Sequence, residues 1–191
     1  DPLWSRGLGD VYKRQVTICD HIIFNSFAQF EKHKEIISEY NNSQRENGNR
    51  VSIGMRVNPE FSTQEGHAIY DPCAPGSRLG VVRAKFPETL PKEIEGLHMH
   101  TLCEQDSDDL EATFNAFEKS FEPYLKKIKW LNLGGGHHIT RPGYDIERLI
   151  RLIKRIKDTY HLEVYLEPGE AIALNLSLIH ISEPTRPERI S

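Results

Sequence analysis

The chain has 191 residues, 38 % of them hydrophobic, with 24 Lys and Arg against 28 Asp and Glu and a formal charge of −4. That balance offers no basic stripe to nucleic acid, and no apolar run approaches the roughly 18 residues of a membrane span. Three cysteines (Cys19, Cys73, Cys103) with no CxxC pair argue against a disulfide scaffold or a zinc knuckle, and point to a cytoplasmic protein.

The two ends differ from the middle. Residues 1–15 carry Trp4, Arg6, Gly7, Gly9 and Tyr12 without periodicity, and residues 176–191 run into Ser182-Glu183-Pro184-Thr185-Arg186-Pro187 with no element pattern. Both resemble translated sequencing-adaptor read-through and are set aside from fold reasoning. The organised region is therefore 16–175.

Within it, short apolar strands alternate with amphipathic helices. Ile18 to Asn25 reads as a strand; Ser26 then opens a helix with Gln29 at capping-box spacing, and Phe27, Phe30 and Ile37 share one face. Val51 to Asn58 is the second strand, and the Pro/Gly-rich run Asp71 to Gly80 is a loop. Leu97 to Leu102 is the third strand, followed by a helix from near Ser107 with Leu110, Phe114, Phe117 and Phe121 at helical spacing. Trp130 to Leu133 is the fourth. Ile146, Leu149, Ile150, Ile153 and Ile156 mark another helix, and Val164 to Glu167 closes the series. Five strands separated by helices predict a parallel sheet.

Alternation separates a barrel from a doubly wound sheet. Val51, Ile53, Met55 and Val57 oppose Ser52, Gly54 and Arg56; Leu97 and Met99 oppose His98 and His100; Val164 and Leu166 oppose Tyr165 and Glu167. Strands of a doubly wound sheet are apolar on both faces. Here one face turns polar toward its carboxyl end, where barrels carry their chemistry. The predicted fold is thus a partial (β/α)8 barrel of about five consecutive units, since a whole one takes about 250 residues.

Four groups of residues on the predicted strand ends could act chemically. Gly134-Gly135-Gly136 can bring backbone N–H groups close to an anion such as phosphate, or can simply make a tight turn that needs positive φ. His100, with His98 two residues before it, is either a hydrogen-bonded structural residue or part of a metal site. Glu167 points into the barrel mouth, where a buried carboxylate needs a cation or a donor. Arg56 is one candidate, as a structural ion pair. As a set, a glycine turn, a flat ring and a carboxylate suit pyridoxal phosphate, with the carboxylate holding the pyridine nitrogen protonated.

Five ordered motifs carry a family resemblance: Gly54-Met55-Arg56-Val57-Asn58-Pro59, Tyr70 through Gly80, Gly96 through Gln105, Gly134 through Thr140, and Leu166-Glu167-Pro168-Gly169-Glu170-Ala171. Over about 16–175 the chain resembles the carboxynorspermidine/carboxyspermidine decarboxylases. The resemblance implies an alanine-racemase-like architecture, a barrel followed by a β-domain that this stretch lacks, in a homodimer with shared active sites. It implies pyridoxal phosphate as cofactor, with His100 stacked on the ring, Glu167 at its nitrogen, Gly134, Gly135 and Gly136 at the phosphate, and Arg56 on the cofactor's oxygen side. Two positions depart from the wider basic-amino-acid decarboxylase pattern: Cys103 stands for a serine and Glu170 for an arginine. Glu170 is then suited to attracting an amine of a polyamine-type substrate, while Cys103, Glu104, His137 and His138 receive no role. The family's Schiff-base lysine and its acid–base cysteine lie outside these motifs, so the fragment itself is expected to be inactive. The rivals are another decarboxylase of the fold, such as one acting on diaminopimelate, and a metal-dependent barrel hydrolase using His98, His100, His137 and Glu167.

Overall fold

The computed structural model describes residues 14–44, 50–65 and 68–173. Most of both terminal segments set aside above therefore lies outside the described residues. Residues 14–18 form a helical turn, so the boundary expected after Gln15 falls inside it.

The elements run β1 (His21–Phe24), α1 (Phe27–Ser43), β2 (Ser52–Asn58), β3 (Val81–Val82), β4 (Ile94–Met99), α2 (Ser107–Leu125), β5 (Trp130–Asn132), α3 (Ile146–Tyr160), β6 (Glu163–Tyr165) and α4 (Gly169–Ala173). All pairings are parallel, in the order β1-β2-β4-β5-β6. Apart from the two-residue β3, strands that are neighbours in sequence order stay neighbours in the sheet, without the reversal that defines a doubly wound fold. With right-handed crossovers, such an order lays every helix on one face, as in an arc of a (β/α)8 barrel.

Several sequence expectations need correcting. There are six strands among the described residues, not five. The extra one, β3, takes over beside β2 where β1 stops, pairing Val57 with Val81 and Asn58 with Val82. Two residues give no periodicity to read. The first strand is shorter than expected because Ile18 belongs to the helical turn and is exposed. The third begins at Ile94 and ends at Met99, before Leu102. In α3 the buried stripe is Leu149, Leu152 and Ile156, while Ile146 and Ile150 are exposed.

The helix starts follow from their caps. Ser26 accepts from the Gln29 N–H at 3.2 Å, and the Gln29 side chain reaches past it to the Asn25 N–H at 3.0 Å. Asp106 and Asp109 form a reciprocal capping box on α2. The core lies between the helices and the outward face of the sheet, where Ile53, Met55, Leu97, Met99, Phe114, Phe117 and Phe121 are all buried.

The inner face is filled differently. The Trp130 indole lies across Gly54 and Gly96 of the neighbouring strands: a Cβ on either would come within 2.3 Å and 2.1 Å of its ring. Its Nε1 donates to Ser52 Oγ at 2.8 Å, and Ser52 Oγ donates to Glu95 at 2.8 Å. His21 packs edge-on against the ring with centroids 4.8 Å apart. This layer floors the barrel mouth, and the polar residues stand one layer above it.

Candidate functional site

Strand periodicity delivers the site. Above Gly54 on β2 stands Arg56, above Gly96 on β4 stand His98 and then His100, and above Trp130 on β5 stand Asn132 and then Gly134. Beyond β6, Glu167 follows Tyr165 on the same face, two residues after the strand ends.

These residues converge. His98 Nε2 lies 3.8 Å from Glu167 Oε1, and His100 Nδ1 lies 3.8 Å from Glu167 Oε2. Arg56 donates to the His100 carbonyl at 3.5 Å, a long bond, and makes no ion pair with Glu167 among the described residues. The structural Arg56–Glu167 pair considered from sequence is therefore not the arrangement found. Gly134 packs directly on His100, where an added Cβ would lie 2.8 Å from the His100 Cα. Gly134 and Gly136 have φ of +74° and +78°, and a Cβ on Gly136 would meet the Leu102 carbonyl oxygen at 2.2 Å. The tight-turn reading of these glycines is thus correct. An anion-binding role is compatible with it, because the Gly135 and Gly136 N–H groups have no acceptor among the described residues.

Sequence reasoning missed Asn132. Its Nδ2 donates to Glu167 Oε1 at 2.7 Å, and its Oδ1 accepts the Gly134 N–H at 2.8 Å. One buried amide thus fixes both the carboxylate and the entry to the glycine turn. The available signal was its place in strand alternation, two residues before Gly134 on the inner face.

Burial sets the charge state of the imidazoles. His98 is pushed down to about 4, chiefly by desolvation and further by Arg56 and His100, against the opposing pull of Glu167. His100 shifts the same way for the same leading reason. Both rings are therefore neutral at pH 7, and neither nitrogen of His98 has a hydrogen-bond partner among the described residues. His137 is also buried and pushed down to about 4 by desolvation. It stands outside the cluster of His98, His100 and Glu167, so the four-ligand set of the hydrolase reading is not assembled. Glu170, one turn of chain beyond Glu167, meets His138 Nε2 at 2.7 Å. That partner, too, was not foreseen. Cys103 is half-buried, and the neighbouring Glu104 holds a φ of +57°.

A singly wound parallel arc with a glycine turn, an imidazole and a carboxylate on one rim defines the class of fold: part of a (β/α)8 barrel, as in the solved decarboxylases it resembles. A solved diaminopimelate decarboxylase shares this fold, with a TM-score of 0.53 and 18 % identity over 78 % of this chain and 41 % of that one. Within the class, the chain is homologous to the matching stretch of the carboxynorspermidine/carboxyspermidine decarboxylases. It is 44 % identical over 156 residues to the Campylobacter jejuni enzyme of that name, which covers 82 % of this chain and 38 % of the relative. A carboxyaminopropylagmatine decarboxylase from Synechocystis is 40 % identical over 159 residues, 83 % of this chain and 38 % of that protein. The crystal structure of carboxynorspermidine decarboxylase complexed with norspermidine, from Campylobacter jejuni, matches with a TM-score of 0.69 and 40 % identity, over 84 % of this chain and 38 % of that one. The chain thus spans under two fifths of the length of these relatives. No family model matches it. No helix among the described residues is long and apolar enough to cross a membrane.

Proposed function

We propose that this chain supplies the cofactor-binding rim of a cytoplasmic, pyridoxal-phosphate-dependent decarboxylase that converts carboxynorspermidine or carboxyspermidine to norspermidine or spermidine. The observation that carries the reading is the convergence of Arg56, His100, Glu167 and the glycine turn on one rim, in a chain 44 % identical to a decarboxylase of that name.

The residues fit the cofactor. The Gly135 and Gly136 N–H groups are free to meet a phosphate, and no Cβ stands in their way. The neutral imidazole of His100 offers a flat face beside the carboxylate. Glu167 is held by Asn132 on one oxygen and can accept a ring N–H on the other. Bound there, pyridoxal phosphate supplies the electron sink for the pair left by departing CO₂.

The chain's own residues set the conditions for that chemistry. Glu167 keeps the ring nitrogen protonated because a carboxylate favours a cation beside it. Asn132 keeps Glu167 in register with the glycine turn. The neutrality of His98 and His100 leaves no competing imidazolium against the pyridinium. Glu170, paired with His138, offers a negative group to a substrate amine. In the intact enzyme a homodimer with shared active sites would complete the site.

The test is direct. The intact enzyme containing this stretch should retain pyridoxal phosphate and release CO₂ from carboxynorspermidine or carboxyspermidine, and far more slowly from diaminopimelate. Release from diaminopimelate alone, or purification without cofactor uptake, refutes the reading.

A further inference from the structure

Glu167 faces two imidazoles and one amide. His98 adds a second unusual feature: its side chain is more than nine-tenths buried, and both ring nitrogens lack partners while Nε2 points at the Glu167 carboxylate. A buried ring of this kind calls for an occupant. From this geometry we infer that, when the cofactor is absent, His98, His100 and Glu167 form a three-ligand site for a zinc-class divalent cation, and that cation and cofactor exclude one another.

The distances suit such an ion. One ligand atom from each residue can be chosen so that all lie within 4.8 Å of one another, and each imidazole has a nitrogen 3.8 Å from one of the two Glu167 oxygens. Four-coordinate zinc, with bonds of about 2.0 to 2.2 Å, sets ligand atoms roughly 3.4 Å apart. Side-chain torsions, including a turn of the carboxylate, therefore need to close the ligand separations by up to roughly 1.4 Å. The ligand chemistry also matches. Two imidazoles and a carboxylate are borderline donors that favour zinc, cobalt or nickel over magnesium or calcium. Asn132 donates to Glu167 Oε1 from behind, the outer-shell support that orients a metal carboxylate. His100 and Glu167 remain partly exposed, which leaves an entry path and a fourth position for water.

Exclusivity follows from shared atoms. The inference rests on the proposed function only here, where the cofactor is the competitor for Glu167 and the face of His100.

Cobalt(II) is the probe, because its visible absorption reports coordination number directly. The full chain without cofactor is titrated with Co²⁺. One equivalent should give the intense bands of a four- or five-coordinate nitrogen–oxygen site, with no sulfur charge-transfer band from Cys103. Glu167→Gln and His98→Gln should each weaken binding at least tenfold. His161→Asn, at the exposed C-cap of α3, should leave it unchanged. Because buried His98→Gln could misfold, the more exposed Glu167→Gln provides the deciding comparison. Weak octahedral absorption, or equal binding by Glu167→Gln, overturns the inference and leaves the cofactor reading intact. In the reverse experiment, protein loaded with pyridoxal phosphate should take up no Co²⁺ at this site. Simultaneous occupancy overturns the exclusion and moves the cofactor away from Glu167.

Discussion

Replacing Asn132 with Asp tests the geometry of the rim most sharply. The new side chain can still accept the Gly134 N–H, but its second oxygen replaces an amide donor 2.7 Å from Glu167 Oε1. Two full charges at that separation repel by about 6 kcal/mol at an effective dielectric constant near 20. Glu167 is 44 % exposed, so solvent screening reduces this to about 2 to 3 kcal/mol, or roughly two pKa units. The pair should therefore hold one proton at pH values where an isolated carboxyl has lost it. In the variant the folded state then binds more protons than the unfolded chain. Its stability relative to the parent is retained in acid, below the carboxylates' unfolded pKa, and is lost as pH rises through the pair's raised folded value. Urea denaturation near pH 5 and near pH 8 should show a deficit that grows by about 1.4 kcal/mol across that interval, roughly half of the full loss. Asn132→Leu, which strands the Gly134 N–H, should instead lose about 1 to 3 kcal/mol with little pH dependence. An equal deficit for Asn132→Asp at both pH values would show that the amide does not hold the carboxylate.

The remaining expectations are simpler. Glu167→Gln in the intact enzyme should cost turnover at least tenfold, about 1.4 kcal/mol of barrier, while cofactor retention changes little; equal losses of both would assign Glu167 to binding instead. Gly96→Ala forces a methyl into the Trp130 ring and should destabilise by about 3 kcal/mol, with Trp130→Leu relieving much of it in the double variant; thermal denaturation of the four chains decides this. His98 and His137 have folded pKa values depressed to about 4 from 6.5. Their contribution is whole above pH 6.5 and is lost as pH falls toward 4, at up to about 1.4 kcal/mol per unit for each ring. An acid titration in which His98→Gln matches the parent would contradict this.

Much of the arrangement was legible because period-2 alternation is strict. Once Val51, Ile53, Met55 and Val57 were assigned outward, Arg56 had to point inward, and the same logic placed His98, His100 and Glu167. Capping-box spacing between Ser26 and Gln29 marked the start of α1. What escaped depended on contacts between distant strands. Asn132 reads as an ordinary strand residue until β6 brings Glu167 beside it, and His138 finds Glu170 only because its loop packs against α4. Trp130 looks like outward core until Gly54 and Gly96 are seen to clear a space for it inside. The exposure of Ile146 and Ile150 shows the opposite failure, since helical spacing marks an apolar stripe without saying which half of it the neighbouring elements cover.

The singly wound order has a consequence for how such a protein can change over time. Every crossover returns the chain to the same rim, so each chemical part arrives at the end of its own strand: Arg56 on one, His100 after the next, the glycine turn after a third, Glu167 after a fourth. Between the last three run amphipathic helices whose buried faces meet the outward side of the sheet. A helix can therefore drift in sequence under selection for packing alone, while a rim loop drifts under selection for ligand alone. Asn132 breaks that independence, because it joins the third unit to the fourth through side-chain atoms. New specificities should arise most readily by altering the loops after Arg56 and His100, and least readily wherever a change must satisfy Gly134 and Glu167 together.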